Sequence, residues 1–255
     1  MKKLLVTLTP AESKRLIARG LLATDIIQNA LKNGYLCITM GTTSAYLAEE
    51  ILGEYDKTRH IAGIVVPKGL ATTDRKTRVS DAIFYKGEYL ENKKVIDVVD
   101  KMCADDVIIK SANAIDENYV PIVLLADDTA GTVGTFIGPA AARNIKVIVP
   151  VGLEKSIPVA YGEFCGKFGK NDWDYAIGTP VGAVALTQAI AFTEIEAVEA
   201  LFDASAIPIA AGGVNGAEGS VSFFIEGGDE EIARAHEFFT DLKGEPPFPK
   251  VDRVN

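Results

Sequence analysis

The chain has few of the residues that hold metals or build disulfide frameworks. It contains two histidines and three cysteines in 255 residues. Cys37, Cys103 and Cys165 are scattered, without the spacing of a zinc site or a disulfide scaffold. His60 and His236 are too few for a histidine-based metal site. We therefore expect no metal centre, no cofactor, and reduced thiols in a cytoplasmic protein.

Positive charge and long apolar runs are also scarce. The net charge of −9 argues against nucleic acid and anionic membranes as partners. No apolar run approaches the roughly 20 residues that a membrane span needs. The hydrophobic content of 48% nevertheless supports a well-buried core. An anionic ligand of this protein would have to be held by local donors, because the chain as a whole repels it.

The most informative segment reads as a strand, a tight turn and the start of a helix. An apolar run over residues 35–40 ends in Gly41, and Thr42, Thr43 and Ser44 follow. Glycine lets backbone approach a ligand, and the first helical turn has unpaired N–H groups, so such a turn suits a phosphate or carboxylate. An ordinary helix cap is the alternative. The segment has neither a P-loop lysine nor the dinucleotide-binding glycine pattern.

Apolar strands alternate with helices over residues 1–185. This order predicts an α/β core with a Rossmann-like, mostly parallel sheet flanked by helices. The capping sequence at Thr9–Glu12 begins a helix that we expect to reach Lys32, with an interruption at Gly20. The main predicted strands cover residues 35–40, 61–66, 106–110, 119–126 and 145–151.

Residues 186–243 predict a small C-terminal α+β region with a βαββα order, followed by a tail over 244–255. Its predicted elements are strand 186–192, helix 194–202, strands 206–211 and 221–227, and helix 229–242. Phe223, Phe224 and Ile225 are consecutive, so a strand places large apolar groups on both of its faces. Both faces need cover, which predicts a homo-oligomer, most simply a two-fold dimer.

Three further segments follow predicted strands, where a parallel sheet places its ligand. They cover residues 110–116, 127–138 and 150–155, and we expect residues 127–138 to form a Gly/Thr-rich loop. The candidate catalytic residues are Asp127, Asp128 and Lys155. The candidate ligand-binding residues are Gly41, Thr42, Thr43, Ser44, Asn113, Asp116, Gly131 and Gly134. The two adjacent aspartates point opposite ways in extended backbone, so at most one faces a ligand. An Asx turn and a surface lysine are the alternative interpretations.

These segments, in this order, resemble the superfamily of ribose-5-phosphate isomerase, glucosamine-6-phosphate deaminase and CoA transferase over roughly residues 30–190. Residues 41–44 look like its phosphate-holding turn, especially that of the sugar-phosphate-sensing domain of DeoR-type repressors. Residues 106–116 are similar to a strand and loop shared with initiation-factor-2B-like proteins. Residues 140–143 and 145–155 resemble the helix, strand and ligand-side lysine that follow. The resemblance implies a small phosphorylated or carboxylated ligand, with isomerase-like or transferase-like chemistry.

The catalytic motifs of these relatives do not appear in the sequence. It lacks the isomerase's Asp-Gly-x-Asp-Glu-like motif and Lys-Gly-Gly-Gly-like loop, and no histidine matches the deaminase relay. Glu218 resembles the glutamate nucleophile of CoA transferases only weakly. A helix-turn-helix like that of the repressors is missing as well. The sequence thus leaves two functions open: an enzyme, or a non-catalytic metabolite-sensing or assembly subunit on the same fold.

Overall fold

The computed structural model describes residues 1–251, which form a mixed α/β fold. The helices within these residues are α1 (Pro10–Ala23), α2 (Asp25–Asn33), α3 (Thr42–Leu52), α4 (Val95–Val98), α5 (Gly131–Arg143), α6 (Glu194–Phe202) and α7 (Asp229–Leu242). The strands are β1 (Lys2–Leu8), β2 (Tyr35–Ile38), β3 (Gly63–Val66), β4 (Gly69–Thr72), β5 (Ala82–Tyr85), β6 (Glu88–Tyr89), β7 (Val107–Ile109), β8 (Ala114–Ile115), β9 (Pro121–Leu125), β10 (Lys146–Pro150), β11 (Gly182–Ala185), β12 (Ile190–Phe192), β13 (Ser205–Gly212) and β14 (Ser220–Gly227). Across residues 1–251, none of the helices has the length and apolar character that crossing a membrane requires.

A six-stranded sheet in the order β12-β10-β7-β2-β5-β6 forms the centre of the fold. Its first four strands are parallel, and β5 and β6 add an antiparallel hairpin at one edge. The sequence predicted the parallel strands near residues 35–40, 106–110 and 145–151. Parallel strands place their carboxyl ends at one edge of the sheet, where open α/β sheets bind ligands.

Alternate residues of the parallel strands enter two cores, one on each face of the sheet. Leu36 and Ile109 pack in a core that includes residues of α1, α3 and α6. Cys37 and Ile108 pack in a second core that includes residues of α4 and α5. Because both faces are covered, these strands read as continuous apolar runs, which made them visible in the sequence.

Two predicted strands lie outside the central sheet, contrary to our expectation. The run at residues 119–126 forms β9, which pairs antiparallel with β8 and β11 in a separate three-stranded sheet. The run at 61–66 forms β3, which pairs only with β4 among the described residues. A short apolar run indicates a strand, but it does not specify the sheet that the strand joins. The run in β3 is not buried either, since Val65 is 75% exposed.

The predicted loop over residues 127–138 is also wrong, because α5 begins at Gly131. Ala130 adopts the left-handed conformation with φ of 61°, and Gly131 follows with φ of 52°. The Ala130 N–H donates to the Asp127 carbonyl at 3.1 Å, so a tight turn over residues 127–130 leads directly into the helix. Tertiary packing of Val133 and Phe136 then overrides the weak helix propensity of the glycines and threonines.

The first predicted helix is interrupted at a different place from the one expected. Its capping box is present, since the Thr9 N–H donates to Glu12 Oε2 at 2.8 Å and the Glu12 N–H donates to Thr9 Oγ1 at 3.3 Å. The helix runs through Gly20 and ends at Ala23, and α2 begins at Asp25.

The C-terminal region contains α6, β13, β14 and α7 close to their predicted positions. The predicted strand at 186–192 is replaced by β11 and β12, and β12 belongs to the central sheet. An unpredicted strand, β1, pairs with β14 over its whole length, from Lys2 opposite Gly227 to Leu8 opposite Val221. The resulting sheet has the order β1-β14-β13, so the start of the chain completes the C-terminal layer.

Candidate functional site

A cavity of about 600 Å³ opens at the carboxyl ends of β2 and β7. Its walls include the residues that follow these strands, Lys155 after β10, and the first turns of α3 and α5. The segment around Arg75–Asp81 and the end of β9 complete the walls. This volume lies within the range of small-molecule sites.

The turn at Gly41 is fixed by its contact with the next strand end. A Cβ on residue 41 would lie 2.3 Å from Ser111 Oγ, so only glycine fits there without a shift. The Ser44 N–H donates to the same Ser111 hydroxyl at 3.2 Å, and the two hydroxyl oxygens are 2.8 Å apart. Within residues 1–251, the N–H groups of Thr42 and Thr43 have no hydrogen-bond acceptor. The N-terminus of α3 therefore keeps two free donors and the positive end of its dipole.

The N-terminus of α5 lines the same cavity from another wall. Like α3, this helix begins without a side-chain cap. In the described part of the chain, the N–H groups of Gly131, Thr132 and Val133 make no hydrogen bond to protein. Two helix N-termini with unpaired donors thus face one cavity, an arrangement that favours a negatively charged ligand.

Two lysines add positive charge to the cavity that the N-termini of α3 and α5 line. Lys110 directly follows β7, and its Nζ donates to the Ser111 carbonyl at 3.0 Å. Lys155 follows β10, and its Nζ donates to the Ala112 carbonyl at 2.8 Å. Burial lowers the pKa of each lysine to about 8. The charged groups that also affect the pKa of Lys155 are Lys14, Glu154, Lys110 and Glu194.

Asp81 is the buried acid of the cavity, with 2% of its surface exposed. Its Oδ2 accepts the Val95 N–H at 2.9 Å, whereas its Oδ1 has no hydrogen-bond partner within residues 1–251. Burial raises the pKa of Asp81, and the Val95 N–H, the nearby Met40 N–H and then the charge of Lys110 act in the opposite direction. The pair therefore consists of an acid with a raised pKa and a lysine with a lowered one, a pattern common where protons are transferred.

Two arginines stand at another part of the cavity wall. Arg78 Nε donates to Thr73 Oγ1 at 2.9 Å, and Arg75 Nη2 contacts Asp127 Oδ2 at 2.8 Å. Burial, and then the neighbouring Arg75 charge, lowers the pKa of Arg78. With Lys94, Lys110 and Lys155, five cationic side chains line the cavity against two carboxylates, Asp81 and Asp127. The site is locally positive in a chain of net charge −9.

The structure brings six of the predicted site residues to this cavity: Gly41, Thr42, Asn113, Asp127, Gly131 and Lys155. Asn113 has a scaffold contact, because its Oδ1 accepts the Leu124 N–H at 3.0 Å. Asp127 accepts the Thr129 N–H at 3.0 Å and the Thr129 hydroxyl at 2.7 Å. These bonds, followed by the Arg75 contact, hold the pKa of Asp127 well below its usual range.

The other predicted site residues lie outside the cavity walls: Thr43, Ser44, Asp116, Asp128 and Gly134. Thr43 and Ser44 are buried in the first turn of α3. Asp116 Oδ1 accepts the N–H groups of Asn118 and Val120, at 2.8 and 2.9 Å, which fixes a turn. Asp128 is exposed and contacts Lys170 at 2.7 Å.

Gly134 has a structural explanation of its own. A Cβ at this position would lie 2.0 Å from the Thr129 carbonyl oxygen, inside the tight turn that begins α5. The residue therefore lets the helix start where it does, and its effect on the cavity is indirect.

Five charged residues of the cavity were not among the candidates from the sequence: Arg75, Arg78, Asp81, Lys94 and Lys110. Lys110 lies in the segment 110–116 that was expected near the ligand, but it was not selected as a site residue. The other four lie in the polar stretch 67–94, where no strand end marks them. Only the tertiary fold brings that stretch over the ends of β2 and β7.

No group of three or more His, Cys, Asp or Glu side chains among residues 1–251 is arranged to hold a metal ion. Comparison of the chain with protein-family models, curated proteins and solved structures finds no match. The candidate function therefore depends on the geometry and chemistry of the cavity.

Proposed function

We propose that this protein binds a small phosphorylated or carboxylated metabolite in the cavity at the ends of the parallel strands. The observation that carries the proposal is the meeting of two uncapped helix N-termini with Lys110 and Lys155 in one cavity. Helix N-termini bind anions through free N–H groups and the helix dipole. The local positive charge attracts such a ligand although the whole chain carries −9.

The proposal includes a Rossmann-like core built on β2, β7, β10 and β12. Four neighbouring parallel strands and helices on both faces support it. It also includes a relationship to the sugar-phosphate isomerase superfamily, for which the position of the Gly41 turn after the first parallel strand is the main support.

The reaction that fits the cavity best is proton transfer next to the carbonyl group of a sugar phosphate. In such an isomerisation, a base removes a proton from carbon while a donor stabilises negative charge on the carbonyl oxygen. We assign Asp81 as the base and the Lys110 ammonium as the donor, because both line the cavity and Asp81 Oδ1 has no hydrogen-bond partner within residues 1–251. Burial shifts the pKa values of the two groups in opposite directions, which is consistent with these roles. Asp127 is instead assigned to the loop, since Thr129 and Arg75 already engage its carboxylate.

A thermal-shift screen against sugar phosphates, organic acids and CoA esters tests the binding proposal. A ligand specific to the native state at 100 times its Kd adds about 2.7 kcal/mol to the free energy of unfolding. Lys110→Met and Lys155→Met should remove the shift, whereas Lys167→Met, at an exposed position outside the cavity, should retain it. A panel without any stabilising compound would contradict the proposal, as would equal shifts in all three variants.

A non-catalytic metabolite sensor on the same fold is the second candidate. The contacts of Asp127 favour this candidate. The sequence suggested Asp127 as a base, but its carboxylate is already held by Thr129 and Arg75. Proton NMR in D₂O distinguishes the candidates, using a sugar phosphate that stabilises the protein. An enzyme exchanges the proton next to the carbonyl for deuterium, and Asp81→Asn abolishes this exchange. A sensor binds the same compound without exchange.

A further inference from the structure

We infer that the cavity holds two anionic groups at once, one at the N-terminus of α3 and one at the N-terminus of α5, so that its ligand is a hydroxylated molecule with an anionic group at each end. A sugar bisphosphate and a phosphorylated sugar acid share this chemistry. The inference deepens the proposed function and depends on it. It is carried by three sets of contacts.

The first anion subsite consists of Gly41, Thr42, Lys110 and Lys155. The free N–H groups of the first turn of α3 lie beside a cavity wall that includes both lysines. The charges of the two lysines are close enough for Lys110 to lower the pKa of Lys155. Two like charges held together in this way are stabilised by an anion that contacts both.

The second anion subsite consists of Gly131, Thr132, Arg75 and Arg78. Here the free N–H groups belong to the first turn of α5. The two arginines are also close enough to interact, because the charge of Arg75 lowers the pKa of Arg78. Each helix N-terminus is thus matched with its own pair of cationic side chains. Arg75 also contacts Asp127 at 2.8 Å, and Asp81 acts on Lys110, so each pair has one carboxylate for two cations. A ligand with a single anionic group would leave one pair with this excess of positive charge.

Asp81 supplies an observation that does not depend on the helices. This side chain lines the cavity, is 2% exposed, and has an Oδ1 without a hydrogen-bond partner in residues 1–251. A buried polar atom without a partner is costly, and a ligand hydroxyl that donates to Oδ1 would satisfy it. The ligand therefore carries hydroxyl groups in addition to its anionic ends.

The number of inorganic phosphate ions bound per chain tests the two subsites without reference to any sugar. Equilibrium dialysis with radiolabelled phosphate should give two ions per chain. Thr42→Asp and Thr132→Asp each place a negative charge in one subsite and should each leave one bound ion, while the double variant leaves none. The control Thr187→Asp, which places the same charge at an exposed position outside the cavity, should retain two. Acidic residues in a first turn favour the helix, so Thr42→Asp and Thr132→Asp should unfold at temperatures no lower than the wild type.

The outcomes separate this inference from the proposed function. One ion in the wild type, lost in Thr42→Asp and unaffected by Thr132→Asp, overturns the second subsite and leaves the proposed anion site intact. No bound phosphate overturns both. Two ions that persist in both Asp variants place the binding elsewhere and also overturn the inference.

Calorimetry with fructose 1,6-bisphosphate and its two monophosphates adds an affinity measurement at constant ionic strength. Linking two anions makes the second contact intramolecular, so the bisphosphate should bind at least tenfold more tightly than either monophosphate. Thr132→Asp should abolish this advantage, and Thr187→Asp, outside the cavity, should keep it. Equal affinities of the wild type for all three compounds would contradict simultaneous occupation of both subsites.

Discussion

Gly41 and Ser111 pack so closely that a Cβ on residue 41 would lie 2.3 Å from the Ser111 hydroxyl oxygen. Gly41→Ala should therefore lower the free energy of unfolding by about 1–3 kcal/mol, the usual cost of overpacking. Urea denaturation measures this change. Gly138→Ala, in α5 with open space at its Cβ, is the control and should be neutral or stabilising.

The contact between Gly41 and Ser111 also predicts that changes at the two positions have non-additive effects on the free energy of unfolding. Ser111→Gly removes the atoms that the new Cβ would meet, although it also removes the acceptor of the Ser44 N–H. Gly41→Ala combined with Ser111→Gly should be less destabilised than the sum of the two single changes. Additive losses would show that Gly41 is constrained by something other than this contact.

The lysines of the cavity predict how anion affinity changes with pH. Lys110 and Lys155 have pKa values of about 8, and only their protonated forms attract an anion. Raising the pH through 8 removes these charges, so affinity should fall, by about tenfold per pH unit for each lysine that binding requires. Sulfate is the suitable probe because it does not titrate in this range. Calorimetry from pH 7 to pH 9.5 should show the fall in the wild type. A variant with both Lys110→Met and Lys155→Met should bind sulfate no more tightly at pH 7 than the wild type does at pH 9.5.

Asp127 and Asp128 are adjacent in sequence, but only the replacement of Asp127 should change phosphate binding. Asp127→Asn removes the carboxylate that contacts Arg75, which frees a cation of the cavity and should strengthen phosphate binding by a few fold. Asp128→Asn, whose carboxylate contacts Lys170 outside the cavity, should leave binding unchanged. Weaker phosphate binding by Asp127→Asn would contradict the role in the loop assigned to this residue.

A row of apolar side chains across the C-terminal sheet predicts self-association. Leu5 in β1 is opposite Phe224 in β14, which is opposite Ile207 in β13. Directly paired residues point to the same face of a sheet, and Leu5 and Ile207 are 69% and 53% exposed. We expect this face to meet a second copy of the chain in a two-fold dimer.

Light scattering tests this association. The wild type should give twice the chain mass of 27.2 kDa, and Leu5→Lys combined with Ile207→Lys should give a monomer. Val65→Lys, at a 75% exposed position in β3, is the control and should remain dimeric. A monomeric wild type at tens of micromolar would overturn the prediction.

The sequence revealed the parts of the fold in which local pattern and burial agree. The buried run before Gly41 and the capping box at Thr9 are short-range signals, and both appear in the structure. The pairing of β1 with β14 was invisible, because it joins residues more than 200 positions apart through backbone hydrogen bonds. Placing β9 in the central sheet failed for a related reason, since its apolar run is equally compatible with either sheet.

The candidate site was predictable to a similar extent. Strand-end positions placed Gly41 and Lys155 at the cavity. The expected reason for Asp127 was wrong, because β9 is not part of the parallel sheet, yet Asp127 still lines the cavity. Asp81 carried no signal, since an aspartate in a polar stretch looks exposed until the fold buries it.

The backbone amides at the two helix N-termini provide the most direct test of the central claim, that the cavity binds an anion. Phosphate should be titrated into ¹⁵N-labelled protein while amide resonances are followed by transverse-relaxation-optimised NMR. The amides of Thr42, Gly131, Thr132 and Val133 should shift the most and saturate together with binding, because these residues line the cavity and their N–H groups have no acceptor within residues 1–251. Phosphate binding that leaves these four amides unchanged, or shifts only amides far from the cavity, would contradict the claim.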